Sequence, residues 1–167
     1  GPAFDAVKLD WINGEYIRKM TDEELTERLR DYLVDHPAKE KIAPVVPLIK
    51  ERIKKLSDFI PLTDFLFEKP EYDIGVFKRL KIEDLRLTIG KIAEKMEQMK
   101  SPWEAKEFEE TFKAMATELG ISNLDMFQLI RVAVSGQLVT PPPFESLKIL
   151  GETEVMKRVE EAKAFLN

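Results

Sequence analysis

Residues 101–136 read SPWEAKEFEETFKAMATELGISNLDMFQLIRVAVSG, and the start and stop signals in this stretch predict two consecutive helices. Ser101 is expected to cap the first helix, with Pro102 at the first helical position and Glu104 three residues after the cap. Gly120 is typical of the left-handed residue that ends a helix. This succession of caps and helical segments indicates an all-α fold.

The sequence on the carboxyl side continues in the same manner. Ser122 or Asn123 is expected to cap a helix that ends at Gly136. Residues 137–144, which include Thr-Pro-Pro-Pro, predict an ordered loop, and a last helix is expected over residues 152–165. No strand-like alternation of apolar and polar residues persists for more than a few positions.

The amino-terminal side also carries helix signals. Thr21 and Glu24 form a capping box, in which each side chain can bond the exposed amide of the other residue. The helix that follows should end near His36, because the residue before Pro37 disfavours the helical conformation. Further helices are expected over residues 42–59, 74–80 and 83–99.

The predicted architecture is an all-α helical bundle or cage of two sub-bundles. Residues 21–100 would form the first and residues 101–167 the second, because the proline-containing break between them is the best candidate boundary. Residues 1–20 would hold a tag-cleavage scar and then the tail of another region. A turn is expected there at Asn13 and Gly14, and the large apolar side chains around it need another surface to cover them.

The composition excludes several kinds of active site. The 167 residues contain no cysteine, so disulfides, zinc–thiolate sites and cysteine nucleophiles are excluded. The single histidine, His36, is interpreted as part of a surface helix end, and Gly75 and Gly90 stand alone instead of forming a phosphate-binding loop. Trp11 and Trp103 are expected in the core rather than as stacking platforms. No catalytic residue and no metal ligand is therefore predicted, and no apolar run approaches the roughly 20 residues that span a bilayer.

Charge is unevenly distributed along the chain. The formal net charge is −5, which argues mildly against a general nucleic-acid binder. Residues 39–55, however, contain six lysine and arginine side chains against two glutamates, a net charge of +4. This basic segment is either a solvated helix face or a local phosphate-binding surface, since salt screens charges over about 8 Å. From the residues alone, an RNA-binding domain and a helical protein-interaction domain without RNA binding both remain open.

Four stretches, in the same order and with compatible spacing, resemble one family. They are KLDWINGEYIR at 8–18, PLIKERIKKL at 47–56, RVAVSG at 131–136, and the 140–144 loop followed by Leu150, Gly151 and Arg158. Together they resemble the carboxyl-terminal anticodon-binding region of bacterial-type glutamyl-tRNA synthetases. The resemblance covers nearly the whole chain, and it implies a helical cage that grips an anticodon loop.

The resemblance also implies a larger enzyme. Glutamyl-tRNA synthetases are class I ligases that join glutamate to its tRNA with ATP and magnesium. The family's two catalytic signatures, a His-Ile-Gly-His type motif and a Lys-Met-Ser-Lys-Ser type loop, are missing from the sequence, since KMTDE at 19–23 lacks the later lysine. The resemblance thus implies a fragment that is inactive alone and holds no cofactor. Its partners would be glutamate tRNA and the catalytic half of the same enzyme. The absence of cysteine favours the cytoplasm, and a monomer is the default expectation.

One arginine is assigned to base recognition by this resemblance. Arg52 matches the family's arginine that accepts the cytosine at the third anticodon position of glutamate tRNA and rejects the guanine of glutamine tRNA. A guanidinium can satisfy base or phosphate acceptors, and a buried donor left unpaired costs about 1–3 kcal/mol. The alternative for Arg52 is a surface ion pair. An arginine at this position favours an enzyme that discriminates between the two tRNAs.

Other contacts are assigned in the same way. Arg131 matches a second family arginine near the anticodon. Thr140, Pro141 and Pro143 fall on the loop that contacts the anticodon, where proline rigidity would lower the entropy lost on binding. The alternative for this loop is a simple helix connector. Possible phosphate contacts are Lys50, Lys54 and Lys55.

Overall fold

The computed structural model describes residues 5–100 and 103–167, and every regular element in these residues is helical. The all-α class predicted from the helix signals is confirmed. The cleavage scar predicted at residues 1–2 and the helix start predicted at residues 101–102 lie outside the described residues.

The chain divides into two compact units, Gly1–Phe67 and Glu68–Asn167. This division differs from the boundary predicted near residue 100. The reason is the helix Leu85–Gln98, whose buried face belongs to the same apolar core as the helices that follow it. The segment 68–100 therefore belongs with the carboxyl-terminal unit.

The first unit consists of two helices of ordinary length followed by short helices and 3₁₀ turns. Among its described residues these are α1 (Ala6–Lys19), α2 (Asp22–Tyr32), α3 (Val46–Ile49), α4 (Phe59–Thr63), and 3₁₀ turns at Lys39–Lys41, Leu56–Asp58 and Asp64–Leu66. The predicted capping box starts α2, because the Glu24 amide donates to Thr21 Oγ1 over 3.1 Å and the Thr21 amide donates to Glu24 Oε2 over 2.8 Å. His36 follows the end of α2, and its Nδ1 accepts the amide of Ala38 over 3.1 Å. This local bond agrees with the predicted position of His36 at a helix end.

Two predictions for the amino-terminal segment are wrong. Helix α1 passes through Asn13 and Gly14 without a turn, because the Asp5 carboxylate caps the helix and the Arg18 side chain lies over the buried glycine. Trp11 is 62% exposed and does not lie in the core. In this helix the turn signal of Asn-Gly is overridden by the cap and by the side chain that covers the glycine.

The long helix predicted over residues 42–59 is also wrong. Only α3 forms there before the chain turns, and a 3₁₀ turn and α4 follow. Asp58 explains the break, since its Oδ2 accepts the amides of Lys54 and Lys55 over 3.0 and 3.2 Å in place of helical carbonyls. Lys55 itself is extended, with φ −150° and ψ 158°. The basic segment therefore ends in an irregular turn.

The second unit contains six helices among its described residues. These are α5 (Ile74–Phe77), α6 (Leu85–Gln98), α7 (Ala105–Leu119), α8 (Asn123–Ser135), α9 (Pro143–Leu150) and α10 (Glu152–Phe165). The caps predicted at Gly120 and Gly136 are confirmed, since both residues are left-handed with φ +66° and +71°. Ser122 caps α8 by accepting the amide of Asp125 over 3.0 Å.

Two helix starts in this unit differ from the prediction. Helix α7 begins at Ala105 because Trp103 is held in the core, its indole edge-to-face with Phe108 at a centroid distance of 4.8 Å. The core position predicted for Trp103 is confirmed. Helix α9 was not predicted, although Pro143 occupies its first turn, a position that proline favours. The loop after α8 is therefore shorter than expected.

The core of the second unit is formed by side chains of α5 to α10. Its largest fully buried side chains include Phe77, Phe108, Phe112, Ile89, Ile92 and Met96. In the part of the chain that the structure describes, no helix combines the length and the apolar character needed to cross a bilayer.

Candidate RNA-binding site

Arg52 lies on the exposed turn that follows α3. Its amide donates to the carbonyl of Ile49 over 2.8 Å, and this hydrogen bond closes a tight turn at the end of the short helix. The Ile53 side chain beside it is fully buried and anchors the turn. The structure thus presents Arg52 at the surface of the first unit, on a turn rather than on the helix that the sequence predicted.

The three lysines predicted as phosphate contacts differ in their surroundings. Lys50 Nζ pairs with Asp22 Oδ1 at 3.2 Å, and its side chain is only 19% exposed. Lys54 and Lys55 are exposed, and it is their backbone amides, not their ammonium groups, that bond to Asp58. Lys54 and Lys55 are therefore better placed than Lys50 to reach a phosphate.

Arg131 connects α8 to the loop that follows it. Its side chain is half-buried, and Nη1 donates to the carbonyl of Leu138 over 3.3 Å. The Ser135 hydroxyl donates to the Arg131 carbonyl over 2.6 Å and accepts the amide of Gln137 over 3.0 Å. Arg131 and the start of the loop are thus held together by local hydrogen bonds.

The contact loop predicted over residues 137–144 spans residues 137–142 in the structure, because α9 begins at Pro143, and it is held close to the protein. Thr140 is 2% exposed, and its hydroxyl donates to the carbonyl of Pro141 over 2.8 Å. Pro141 is buried as well, while Pro143 is half-buried at the start of α9. The side chains of Thr140 and Pro141 therefore shape the loop, and a ligand would meet the loop chiefly through its backbone and the exposed Val139.

Gly136, at the start of this loop, lies in close contact with the backbone of another segment. A Cβ atom added at Gly136 would lie 2.2 Å from the carbonyl oxygen of Glu71. With φ +71°, the residue also occupies the left-handed region that glycine tolerates best. The end of α8 and the segment around Glu71 therefore pack backbone against backbone, and only glycine fits between them.

Arg158 joins the same two segments from inside the unit. It is 3% exposed, its Nη1 donates to the carbonyl of Val134 over 2.8 Å, and its Nη2 donates to the carbonyl of Glu68 over 3.1 Å. Its Nε donates to Glu154 Oε1 over 2.8 Å, and this hydrogen bond lowers the pKa of Glu154. Sequence reasoning noted Arg158 only as part of the resemblance. A glutamate four residues before an arginine usually signals a surface pair, so the pattern hid the buried role.

Tyr72 completes this connection. Its hydroxyl lies 2.6 Å from the carbonyl oxygen of Ala133 and 2.9 Å from that of Arg158, and it donates its proton to this pair. Burial, with the nearby charge of Glu161, raises the pKa of Tyr72 far above its ordinary value. Nothing in the sequence around Tyr72 indicated this role, because both acceptors are distant backbone carbonyls.

The predicted contact residues therefore fall into two groups. Arg52 and the three lysines belong to the first unit, whereas Arg131 and the loop at 137–142 belong to the second. No group of three or more histidine, aspartate or glutamate side chains in the described ranges could hold a metal ion.

Comparison with known proteins identifies the type of domain. A family model described as an anticodon binding domain matches residues 24–163. The chain is 31% identical to glutamate–tRNA ligase 2 of Caldicellulosiruptor saccharolyticus, covering 94% of this chain and 34% of that protein. It is 32% identical to a glutamate–tRNA ligase of Acidothermus cellulolyticus, covering 99% and 35%. The chain thus spans about a third of the length of the curated relatives it matches.

A solved structure supports the same grouping at the level of the fold. A crystal structure of a glutamate tRNA ligase from Elizabethkingia meningosepticum matches with a TM-score of 0.83 and 21% identity, over 98% of this chain and 33% of that one. This likeness shows a shared helical arrangement. Since the family model covers most of the sequence, from within α2 to within α10, the chain belongs to the anticodon binding domain family.

Proposed function

We propose that this chain recognises the anticodon loop of glutamate tRNA as part of a glutamate–tRNA ligase. The observation that carries the proposal is the family match over residues 24–163, which includes every predicted contact residue in both units. The relatives named glutamate–tRNA ligase support this choice of parent enzyme. A helical protein-interaction domain without RNA binding would account for none of these matches.

The chemistry of ligation is proposed to lie outside these residues. In this proposal ATP and magnesium are bound by the catalytic half of the parent enzyme, and this chain alone does not aminoacylate tRNA. The chain would act in the cytoplasm, as a monomer within that larger protein. Its own contribution is to hold the anticodon loop and to test its bases.

Arg52 is the proposed reader of the third anticodon base. Its guanidinium starts from the exposed surface of a turn, so it can reach a base that is splayed out of the RNA loop. On its Watson–Crick edge a cytosine offers the O2 and N3 acceptors to the guanidinium, whereas a guanine presents N1–H and N2–H donors there and would leave guanidinium donors unpaired. An unpaired buried donor costs about 1–3 kcal/mol, which is enough for roughly tenfold discrimination.

Arg131 and the loop at 137–142 are proposed as a second contact. The hydrogen bond from Arg131 to the Leu138 carbonyl supports this, because it fixes the arginine beside the loop before RNA arrives. A loop that is already ordered loses less entropy on binding. The second contact therefore raises the affinity for RNA because the loop is already ordered, whereas Arg52 discriminates between the two tRNAs.

Binding to anticodon stem-loops tests the proposal. We expect the chain to bind the glutamate stem-loop more tightly than the glutamine stem-loop, and the affinity should fall as salt rises because phosphate contacts release counterions. Arg52→Gln should reduce the preference by about tenfold. Affinities would be measured by fluorescence anisotropy at two salt concentrations.

Arg86→Gln is the matched control, because Arg86 is an exposed arginine on α6 outside both contact groups. This variant should keep the full preference for the glutamate stem-loop. Equal binding to both stem-loops by the unaltered chain would contradict the proposed recognition. A preference that survives Arg52→Gln would remove Arg52 from its proposed role.

A further inference from the structure

A cleft in the first unit combines positive charge with an aromatic ring. It has a volume of about 420 Å³ and opens between the end of α1, α2 and the turn that precedes α4. Its lining includes Asn13, Tyr16, Arg28, Lys54, Lys55 and Leu56. All of them belong to the same compact unit.

The cations of this cleft are available to a ligand. In the described part of the chain no carboxylate lies within ion-pair distance of Arg28, Lys54 or Lys55, whereas Lys50 is paired with Asp22. All three side chains are exposed. Three unneutralised positive charges around one cleft make a site for an anion with several charges, such as successive phosphates.

Acidic residues near Arg28 are bonded to other partners. Glu24 Oε2 accepts the amide of Thr21, and Glu27 Oε1 accepts from Arg30 Nη1 at 2.5 Å. Arg28 also borders a second depression lined by Glu23, Glu24 and Glu27, so Lys54 and Lys55 supply most of the positive charge of the cleft.

The aromatic wall of the cleft is Tyr16. It is 65% exposed and lies on α1 beside Asn13, whose amide can both donate and accept hydrogen bonds. Among the described residues Tyr16 forms no ring contact with another aromatic side chain. An exposed aromatic face beside free cations is the arrangement by which proteins stack an unpaired base while holding its phosphates.

We propose that this cleft binds a single-stranded segment of RNA, with one base stacked on Tyr16 and the flanking phosphates against Arg28, Lys54 and Lys55. The proposal rests on the proposed function and extends it, because it adds a contact that is separate from base reading by Arg52. The cleft recognises an unpaired nucleotide with little preference for its sequence, since every base has a face that can stack.

Binding of the 167-residue chain to a fluorescent oligouridylate tests the cleft directly. Tyr16→Ala should weaken binding about fivefold or more, while Tyr16→Phe should keep it, because stacking needs the ring and not the hydroxyl. The double variant Lys54→Gln/Lys55→Gln should lower the slope of log affinity against log salt by about 1.4. Tyr16→Ala should leave the preference for the glutamate over the glutamine stem-loop unchanged, because stacking does not distinguish one base from another.

Two matched controls separate the cleft from general charge and aromatic content. Tyr32→Ala removes another exposed tyrosine outside the cleft, and Lys8→Gln/Lys41→Gln removes two exposed lysines from the same unit. Both controls should bind the oligouridylate like the unaltered chain. Circular dichroism would show that each variant keeps its helices.

The outcomes distinguish this proposal from the proposed function. Cleft variants that match their controls, or an unaltered chain that does not bind the oligouridylate at low salt, would overturn the cleft proposal even if the stem-loop preference is present. Oligouridylate binding that depends on Tyr16 and the two lysines would support the cleft even if the stem-loops are bound equally. In that case the anticodon function would fail alone.

Discussion

The turn that carries Arg52 and the loop that follows Arg131 are built in opposite ways. The turn lies open on the first unit, with its cationic side chains exposed and its backbone bonded to one surface carboxylate, that of Asp58. The loop at 137–142 rests on the second unit, with Thr140 and Pro141 buried. Behind the loop, the end of α8 is fixed to distant segments of the chain by Gly136, Arg158 and Tyr72.

This difference separates two requirements of RNA recognition. An exposed arginine can change its partner when RNA arrives, so its contribution to binding depends on the hydrogen-bond acceptors that the RNA presents. A loop fixed by buried hydrogen bonds keeps its shape. It therefore contributes to affinity because little conformational entropy is lost when RNA binds. Substitutions in the second unit are therefore expected to change stability first, and substitutions in the exposed turn are expected to change recognition first.

The largest effect is expected at Gly136. Gly136→Ala places a Cβ atom against the Glu71 carbonyl and forces a side chain into the left-handed region. These two effects should lower the free energy of unfolding by about 2–5 kcal/mol. Urea denaturation followed by Trp103 fluorescence measures this, in a Trp11→Phe background that leaves one tryptophan.

Gly120→Ala is the matched control for this prediction. Gly120 has nearly the same φ, but nothing lies within 4 Å of a Cβ atom placed there. Only the left-handed strain remains, and it costs about 1–2 kcal/mol. Equal losses in the two variants would show that the close approach to Glu71 contributes nothing.

A smaller loss is expected at Arg158. Arg158→Met keeps much of the buried volume but leaves the carbonyls of Val134 and Glu68 without their donors. The free energy of unfolding should fall by about 2–3 kcal/mol. Hydrogen exchange should also rise in residues 68–72, because their anchor is removed. Arg79→Met, at an exposed arginine of the same unit, should change stability by about 0.5 kcal/mol or less, and a similar loss there would contradict the anchoring role.

Tyr72 should contribute less than Arg158, and its contribution should depend on pH. Tyr72→Phe removes the hydroxyl that donates to the Ala133 and Arg158 carbonyls, which should cost about 1–2 kcal/mol near neutral pH. Burial raises the pKa of Tyr72, so the folded state favours the neutral phenol. The stabilisation is therefore complete below about pH 10, the pKa of an unfolded tyrosine, and is lost as the pH rises above that value.

Urea denaturation of Tyr72→Phe and of the unaltered chain across this pH range measures the effect. The difference between the two chains should shrink above about pH 10. Tyr32→Phe, at an exposed tyrosine of the first unit, should show no such pH dependence. A constant difference for Tyr72→Phe at all pH values would mean that its ionisation is not linked to folding.

Much of the fold could be predicted from local signals. The caps at Thr21, Ser122, Gly120 and Gly136 work through hydrogen bonds and φ values within a few residues, so the sequence displays them directly. Predictions failed where distant or irregular contacts decide the outcome. The 42–59 helix is broken by the Asp58 carboxylate, which bonds amides instead of leaving them to helical carbonyls.

The candidate site was less accessible to sequence reasoning. Exposure of Arg52 agrees with its predicted role, but its contact with a base stays a prediction. Thr140 could be placed on the loop from sequence, yet its burial depends on packing that no short pattern encodes. Arg158 and Tyr72 were missed as anchors because their acceptors are backbone carbonyls up to 90 positions away along the chain.

The smallest effect on stability is expected at Arg52, and it gives the sharpest contrast between the two regions. Arg52→Gln changes an exposed side chain on a turn whose backbone is held by Asp58 and by the buried Ile53. The free energy of unfolding should change by about 0.5 kcal/mol or less. Arg131→Gln should cost about 1–2 kcal/mol, because it breaks the bond to the Leu138 carbonyl from a half-buried position.

Measured together, stability and stem-loop affinity should separate the effects of the two arginines. Arg52→Gln should lose the preference for the glutamate stem-loop at unchanged stability, and Arg131→Gln should lose affinity for both stem-loops along with stability. If Arg52→Gln instead unfolds the first unit, the open turn is structural and the contrast with the fixed loop disappears. If Arg131→Gln alone abolishes the preference, base discrimination belongs to the fixed loop, where a preformed shape rather than an adaptable side chain would reject the wrong base.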